Sequence, residues 1–439
     1  MQGERKTLTQ LSVPICLETL FYMLSGMVDT LMLSSVSDQA VGAVGTANTY
    51  IGVFIIMFGV ISSGMVAVMS QNIGAGRPGI AYQARQLGLV FNALTGILMS
   101  VVLAVFSGGI LRAVSIAPAL LESAETYLKI VGGASFLNAL IPIFSSYLRV
   151  FGYTKHSLIG TVVGNVINII LNSVFLFVFH WGVMGVATAT VISKAVNLII
   201  VAAMGAVLIK AKQSPERAQP RRILAQIVKI GFPSVFETAL YNVAMTFIVC
   251  FMNHMDTDGM NVTARSYAMQ IANFSYCVGA ALAQANAIMT GWRIGAKKYE
   301  ECDRGTRKAV IYGLVTATCF SVTFAITGRF IVHIFTNDIQ MIELVVKLLV
   351  VDIFLEFGRV TNLVYGQALK TSGDAIFPVI MGAIFMYLFA VGGTYFLGIH
   401  MGLQAVGAYI AMAGDECARA VGMVLRWKSG KWKSKSLVE

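Results

Sequence analysis

Residues 11–34 read LSVPICLETLFYMLSGMVDTLMLS. A helix needs about 20 mostly apolar residues to cross the hydrocarbon core of a bilayer, and this run supplies them with only two ionisable groups, Glu18 and Asp29. The two acids are eleven positions apart, about 20° past three full turns of an α-helix and about 16 Å along its axis. They therefore face the same way, one near each end of a single span. The whole chain has this character. Of its 439 residues 57% are hydrophobic and 12% charged, against about 25% charged in a soluble domain. That excludes a soluble enzyme of this length, and 26 Phe and 22 Met exclude disorder.

Eleven further runs of similar length follow, at about 44–70, 86–106, 124–148, 157–179, 184–209, 226–252, 264–290, 309–327, 341–369, 376–398 and 403–426. They are continuous and do not alternate, so a β-barrel is excluded. The expected fold is an all-α polytopic membrane protein of twelve spans. After a short polar lead that includes Arg5, the first span carries Glu18 and Asp29 and lacks a small-residue cleavage site, which favours a retained helix over a signal peptide. With both termini in the cytoplasm, 24 of the 32 basic residues fall on the cytoplasmic side, as the positive-inside bias requires. Arg112, Arg265, Arg329 and the acidic stretch Asn253–Asp258, which contains Thr257, fall outside. None of the six Cys sits in a CxxC or Cys/His ligand pattern. The +11 charge is read as a membrane-surface feature, with no nucleic-acid partner.

The chain repeats itself. Pro14-Ile15-Cys16-Leu17-Glu18-Thr19 matches Pro233-Ser234-Val235-Phe236-Glu237-Thr238, and Ile73-Gly74-Ala75-Gly76-Arg77 matches Ile294-Gly295-Ala296-Lys297-Lys298. Leu148-Arg149 pairs with Leu369-Lys370, and Gly182-Val183 with Gly402-Leu403, in the same order at a nearly fixed offset. Two collinear six-helix lobes follow, related by an axis along the membrane normal as in some secondary transporters. The lobes are residues 1–212 and 226–427, joined by a basic linker at 213–225 and followed by a basic tail at 428–439.

Ionisable groups at bilayer depth are costly and usually face a working cavity. The candidates are Glu18, Asp29, Glu237, Asp352 and Glu356, with Lys194 in the sixth span and Asp415, Glu416 and Arg419 in the last; among the central groups carboxylates dominate. Asp352 and Glu356, one helical turn apart, cannot both ionise cheaply, which suits a proton or sodium site; alternatively Glu356 pairs with Arg359. Glu18 and Glu237 either line the cavity or cap backbone freed by the preceding prolines. Asn165, Asn168 and Asn172 form one face of the fifth span, lining a polar cavity or binding neighbouring helices. No nucleotide-binding, zinc-protease or serine-hydrolase motif is present, so energy must come from an ion gradient or a partner.

Several stretches resemble the multidrug and toxic compound extrusion (MATE) transporters. They are Met27-Val28-Asp29-Thr30-Leu31-Met32, Val41-Gly42-Ala43-Val44-Gly45, Gln71-Asn72-Ile73-Gly74-Ala75-Gly76-Arg77 and Leu369-Lys370-Thr371-Ser372-Gly373-Asp374. The resemblance implies a monomeric multi-pass protein of the cell (inner) membrane that is no enzyme and needs no cofactor. It implies export of small organic cations in exchange for Na⁺ or H⁺ by alternating access. Asp29 would be the acid of the first span, accompanied by Asn168 and Thr190. Asn172 stands where the family often has an Asp, which removes a titratable group. Glu237 resembles the seventh-span Glu of the NorM-type branch, and Asp352 would complete a Na⁺ site with it. The alternatives are a lipid-linked oligosaccharide flippase or an exporter of another metabolite on this scaffold; an embedded enzyme and a channel have no supporting motif.

Overall fold

The computed structural model describes residues 6–113, 116–256 and 258–438, apart from the side chains of Asp38, Lys212 and Gln213. Arg5, Thr257 and Glu439 lie outside the described residues. Helices account for nearly all of the described chain, and no β-strand occurs among the described residues. In order they are α1 (Leu8–Ser34), α2 (Asp38–Gly74), α3 (Pro78–Ala113), α4 (Pro118–Tyr127), α5 (Ser135–Val150), α6 (Thr154–Ser173), α7 (Gly182–Leu208), α8 (Pro220–Asn253), α9 (Met260–Gly295), α10 (Tyr299–Val332), α11 (Ile339–Ser372), α12 (Ile376–Phe385) and α13 (Gln404–Lys428). Each of the twelve expected spans coincides with one of these helices or with a joined pair. The fourth expected span is α4 and α5, linked by a π-helical turn at Leu128–Gly132 and bent by 41°. The eleventh continues from α12 through π-helical turns to His400.

Among the described residues eight helices are long and apolar enough to cross a membrane, nine if the bent pair is one span. The other three, α9, α11 and α13, are as long but carry more polar side chains, and they bury them. Arg265 and Ser275 of α9, Asp352 and Glu356 of α11, and Asp415 and Arg419 of α13 are all buried. Polar groups that lipid would penalise by several kcal/mol each are thus turned inward.

The chain forms two compact units, residues 13–231 and 232–439, with residues 8–12 grouped with the second. The division falls inside α8, later than the end of the basic linker, because the first turns of α8 pack on α2. There Gly64 lies against the backbone of Ile227 and Gly231 against the backbone of Val60; a Cβ at these glycines would sit 2.0 and 1.8 Å from the facing carbonyl oxygens. Only glycine permits so close an approach.

In the first unit an apolar core gathers Leu33, Ile51, Leu103, Leu128 and Val186. In the second, one core surrounds Ile248, Val345, Leu348 and Met386, and another surrounds Ile294, Val364 and Met423. The latter also anchors the basic tail: Trp432 is buried and stacks on Trp427 with ring centroids 4.2 Å apart. Beside it Asp374 accepts hydrogen bonds from Arg426 (2.7 and 3.2 Å) and Lys435 (2.8 Å). Burial opposes charge on Asp374, but the bonds from Arg426 and Lys435 outweigh it and hold the carboxyl below the usual carboxylate range.

Candidate functional site

The intramembrane carboxylates separate into those with a cationic partner and those without. Glu18, one turn after Pro14 on α1, is buried. Arg149, at the end of α5, reaches it at 2.7 Å, and Ser157 and Thr161 of α6 donate to it at 3.0 and 3.4 Å. At the repeat-related place Glu237, one turn after Pro233 on α8, meets Lys370 of α11 at 2.5 Å. Both carboxylates are engaged by side chains, so they do not cap backbone freed by the prolines. Both units carry the same device, built from the matched positions 18/237 and 149/370.

Asp29 is different. In the first unit α6 lies close to α7 because Gly160 and Gly164 present no side chain; a Cβ there would meet Asn197 and the backbone of Ser193. That spacing is the small-xxx-small pattern of membrane helix pairs. One turn further along α6, Asn168 and Asn172 point the same way, and both are buried. Asn172 Nδ2 donates to Asp29 Oδ1 at 2.6 Å and to Asn168 Oδ1 at 3.3 Å, while Asn172 Oδ1 is buried without a partner. Thr190 of α7 is buried nearby, its hydroxyl bonded back to Val186, with Tyr127 beside it and Lys194 close enough to act electrostatically on Asp29. The structure therefore brings Asp29, Asn168, Asn172 and Thr190 together. No basic side chain lies within ion-pair distance of Asp29 among the described residues.

The second unit contains a cavity of about 520 Å³ between α8, α9, α11, α12 and α13. Five methionines line it (Met245, Met269, Met386, Met412 and Met423), with Tyr241, Tyr276 and Tyr409. Arg359, Glu416 and Arg419 of its wall belong to a chain of alternating sign that runs on behind it to Glu356 and Asp415. Glu356 pairs with Arg359, Arg359 approaches Glu416 at 3.9 Å, and Glu416 meets Arg419 at 3.0 Å. Arg419 closes the chain with a two-pronged bond to Asp415 (2.9 and 2.6 Å). Asn362 donates to Glu416 at 3.0 Å, and Ser275 to Glu356 at 3.4 Å. This network ties α11 to α13, so Glu356 is held by Arg359 and is not a free partner for Asp352. Asp352 is buried in the cavity wall with no hydrogen bond or ion pair among the described residues.

Two expectations need correction. Glu237 and Asp352 line one cavity but do not meet. Glu237 is tied to Lys370, eighteen residues beyond Asp352 on α11, a separation of about 27 Å along that helix, so no single Na⁺ is shared between them. No group of three His, Cys, Asp or Glu side chains suited to a metal occurs among the described residues. Nor do carboxylates dominate the second unit: Arg265, Arg359, Lys370 and Arg419 line its cavity beside Glu237, Asp352 and Glu416. Charge counting puts Arg265 at the outer end of its span and Lys370 in an inner loop. Both enter the cavity because α9 begins at Met260 and α11 extends to Ser372. Tyr127 and Tyr409, aromatic residues inside apolar runs, carried no sequence signal that separates them from core.

A family model described as MatE matches residues 14–174 and 233–396, one stretch in each unit. An uncharacterized transporter, YisQ of Bacillus subtilis, is 32% identical over 98% of this chain and 96% of its own length. A probable multidrug resistance protein NorM of Thermotoga maritima is 26% identical over 99% of this chain and 94% of its own. Among solved structures, a MATE in the straight conformation superposes with a TM-score of 0.88 at 20% identity, covering 97% of this chain and 96% of that one. An outward-facing MATE family transporter of the MOP superfamily superposes with a TM-score of 0.87 at 18% identity over the same shares.

Proposed function

This chain belongs to the MatE family; it is a multi-pass membrane transporter and not an enzyme, and from that premise we propose that it exports organic cations in exchange for Na⁺ or H⁺ by alternating access. The observation that carries this reading is the division of the carboxylates. A carboxylate already neutralised by Arg or Lys in a low-dielectric interior gives up that partner only at a cost of several kcal/mol. Glu18, Glu237, Glu356, Asp415 and Glu416 are in that state. Asp29 and Asp352 are not, so they are the groups able to take H⁺, Na⁺ or a cationic solute in turn.

Asp29 suits the ion half of the exchange. A Na⁺ there would meet the carboxylate and the amide oxygens of Asn168 and Asn172. A proton would turn Asp29 into a donor for the Asn172 oxygen that now lacks one, after rotation of the amide; which amide atom is N and which is O is fixed by the surrounding bonds. Coupled exchange requires only that an ion at Asp29 and a solute at Asp352 favour opposite conformations, because each ligand shifts the population toward the conformation it binds better. The methionine-lined cavity supports a broad solute range, since thioethers adapt to differing apolar shapes. The multidrug resistance names of the NorM relatives point the same way.

The test is ethidium efflux from proteoliposomes under an imposed Na⁺ or H⁺ gradient. Efflux is expected to follow one gradient only, to be lost in Asp29→Asn and Asp352→Asn, and to persist in Glu18→Gln. Absence of gradient-driven efflux of any organic cation from wild-type vesicles would refute the reading.

A further inference from the structure

The cavity of the second unit contains an arginine that its own protein leaves unanswered. Arg265, in the second turn of α9, is 8% exposed and lines the cavity. Its only polar contact among the described residues is the thioether of Met245, at 3.6 Å. No carboxylate lies within ion-pair distance of it among the described residues, whereas Arg359 and Arg419, in the same wall, are each held by two. A guanidinium does not deprotonate in proteins, so it cannot escape the cost of burial by becoming neutral. Its fork of donors matches a carboxylate, sulfonate or phosphate, which it binds in a two-pronged fashion.

The nearest unpaired acid along the cavity is Asp352. The bond from Ser275 to Glu356 sets the register of α9 against α11. Counting back from it, Arg265 lies ten residues before Ser275 and Asp352 four before Glu356, so Asp352 is about 9 Å deeper along the helix axes. That is too far for the two to neutralise each other directly. It is a natural separation for the opposite charges of one organic molecule.

We propose that Arg265 is the recognition point for an anionic group on the exported solute, so that this cavity selects amphoteric organic molecules, with the anionic end at Arg265 and the cationic end toward Asp352. The inference deepens the export reading above and depends on it for the word "exported"; the binding preference itself does not. An unpaired arginine beside methionines and tyrosines gives a simple cation nothing to gain at that end of the cavity. A free anionic group gains two charge-assisted hydrogen bonds there.

The experiment is equilibrium binding, by fluorescence anisotropy, of rhodamine B and of its ethyl ester to the full chain in nanodiscs at neutral pH. The two dyes share one cationic xanthylium core, and only rhodamine B has a free carboxylate. Wild type is expected to bind rhodamine B at least about tenfold more tightly than the ester, the scale of a hydrogen-bonded charge pair. Arg265→Gln is expected to erase that preference without weakening binding of the cationic ester, from which a like charge has been removed, and Arg265→Lys to retain part of it. Equal binding of the two dyes by wild type, a preference for the ester, or an undiminished rhodamine B preference in Arg265→Gln each overturns the proposal. Should Arg265→Gln fail to fold, the wild-type preference decides, together with competition by benzenesulfonate but not by benzyltrimethylammonium. Binding needs no ion gradient, so a failure of coupled efflux and a failure of anion recognition are read separately.

Discussion

Removal of Arg149 should destabilise the protein through what it leaves behind. Glu18 is 8% exposed at its side chain and has one counter-charge, Arg149, at 2.7 Å. Its other partners are the hydroxyls of Ser157 and Thr161, and its Oε2 is buried with no partner at all. Arg149→Ala therefore strands a carboxylate in the interior, a change that costs about 3–5 kcal/mol. At roughly 2–4 °C per kcal/mol for a body of this size, the midpoint of thermal unfolding should fall by about 6–20 °C. Adding Glu18→Gln removes the stranded charge. The double variant should regain more than half of the loss, leaving about 1–2 kcal/mol for imperfectly paired polar groups. Circular dichroism in detergent at one fixed scan rate is the assay, since scan rate alters the midpoint when unfolding is irreversible. A double variant that melts as low as Arg149→Ala would refute the reasoning, because the damage would then not reside in an uncompensated Glu18. Glu18→Gln alone should keep coupled transport. Its loss at an unchanged melting point would move Glu18 from the packing of α1, α5 and α6 into the ion pathway.

Three further expectations rest on other parts of the fold. Gly231→Ala places a Cβ 1.8 Å from the carbonyl oxygen of Val60, so α8 must move away from α2; faster cleavage of the 210–220 segment by added protease would register it. Trp432→Ala empties a buried site stacked on Trp427 and should cost about 3–5 kcal/mol, read as a lower melting point and early proteolytic loss of the C-terminal residues. Asp374 has a folded-state pKa held below its unfolded value by Arg426 and Lys435. Its stabilisation is therefore complete above the unfolded value of about 3.9 and disappears as pH falls through the lower folded value. The melting-point difference between wild type and Asp374→Asn should be constant from pH 8 down to about 5 and shrink below about 4.

Much of the architecture was legible because bilayer thickness imposes a length on every span, and the repeat then imposes an order. Leu8–Ser34, Thr154–Ser173 and Gly182–Leu208 fall within a few residues of the runs that hydropathy alone picks out. Two features were not legible for local reasons. The bend between α4 and α5 is a hydrogen-bond slip at Leu128–Gly132, and an apolar run containing glycines reads the same whether straight or bent. The division inside α8 depends on Gly64 meeting Ile227, a contact between positions 163 residues apart.

The site was legible in its residue types and not in its pairings, and the pairings decide function. Glu237 and Asp352 look alike in sequence, each an acid inside an apolar span, yet Lys370 folds back onto the first and no ion-pair partner reaches the second among the described residues. Positive-inside counting puts Lys370 with the loop charges and Arg265 outside, because it weighs basic residues by their distance from span ends. A long side chain near such an end can turn toward a cavity as readily as toward water. Lys370 does so with a carboxylate waiting, whereas Arg265 does so without one. In that cavity Asp352 and Arg265 are the charged groups left without an ion-pair partner among the described residues, and the proposed preference for amphoteric solutes rests on that pair. Counting acids along the chain weighs Glu237 and Asp352 equally, whereas the pairings leave only the second open to a cationic group.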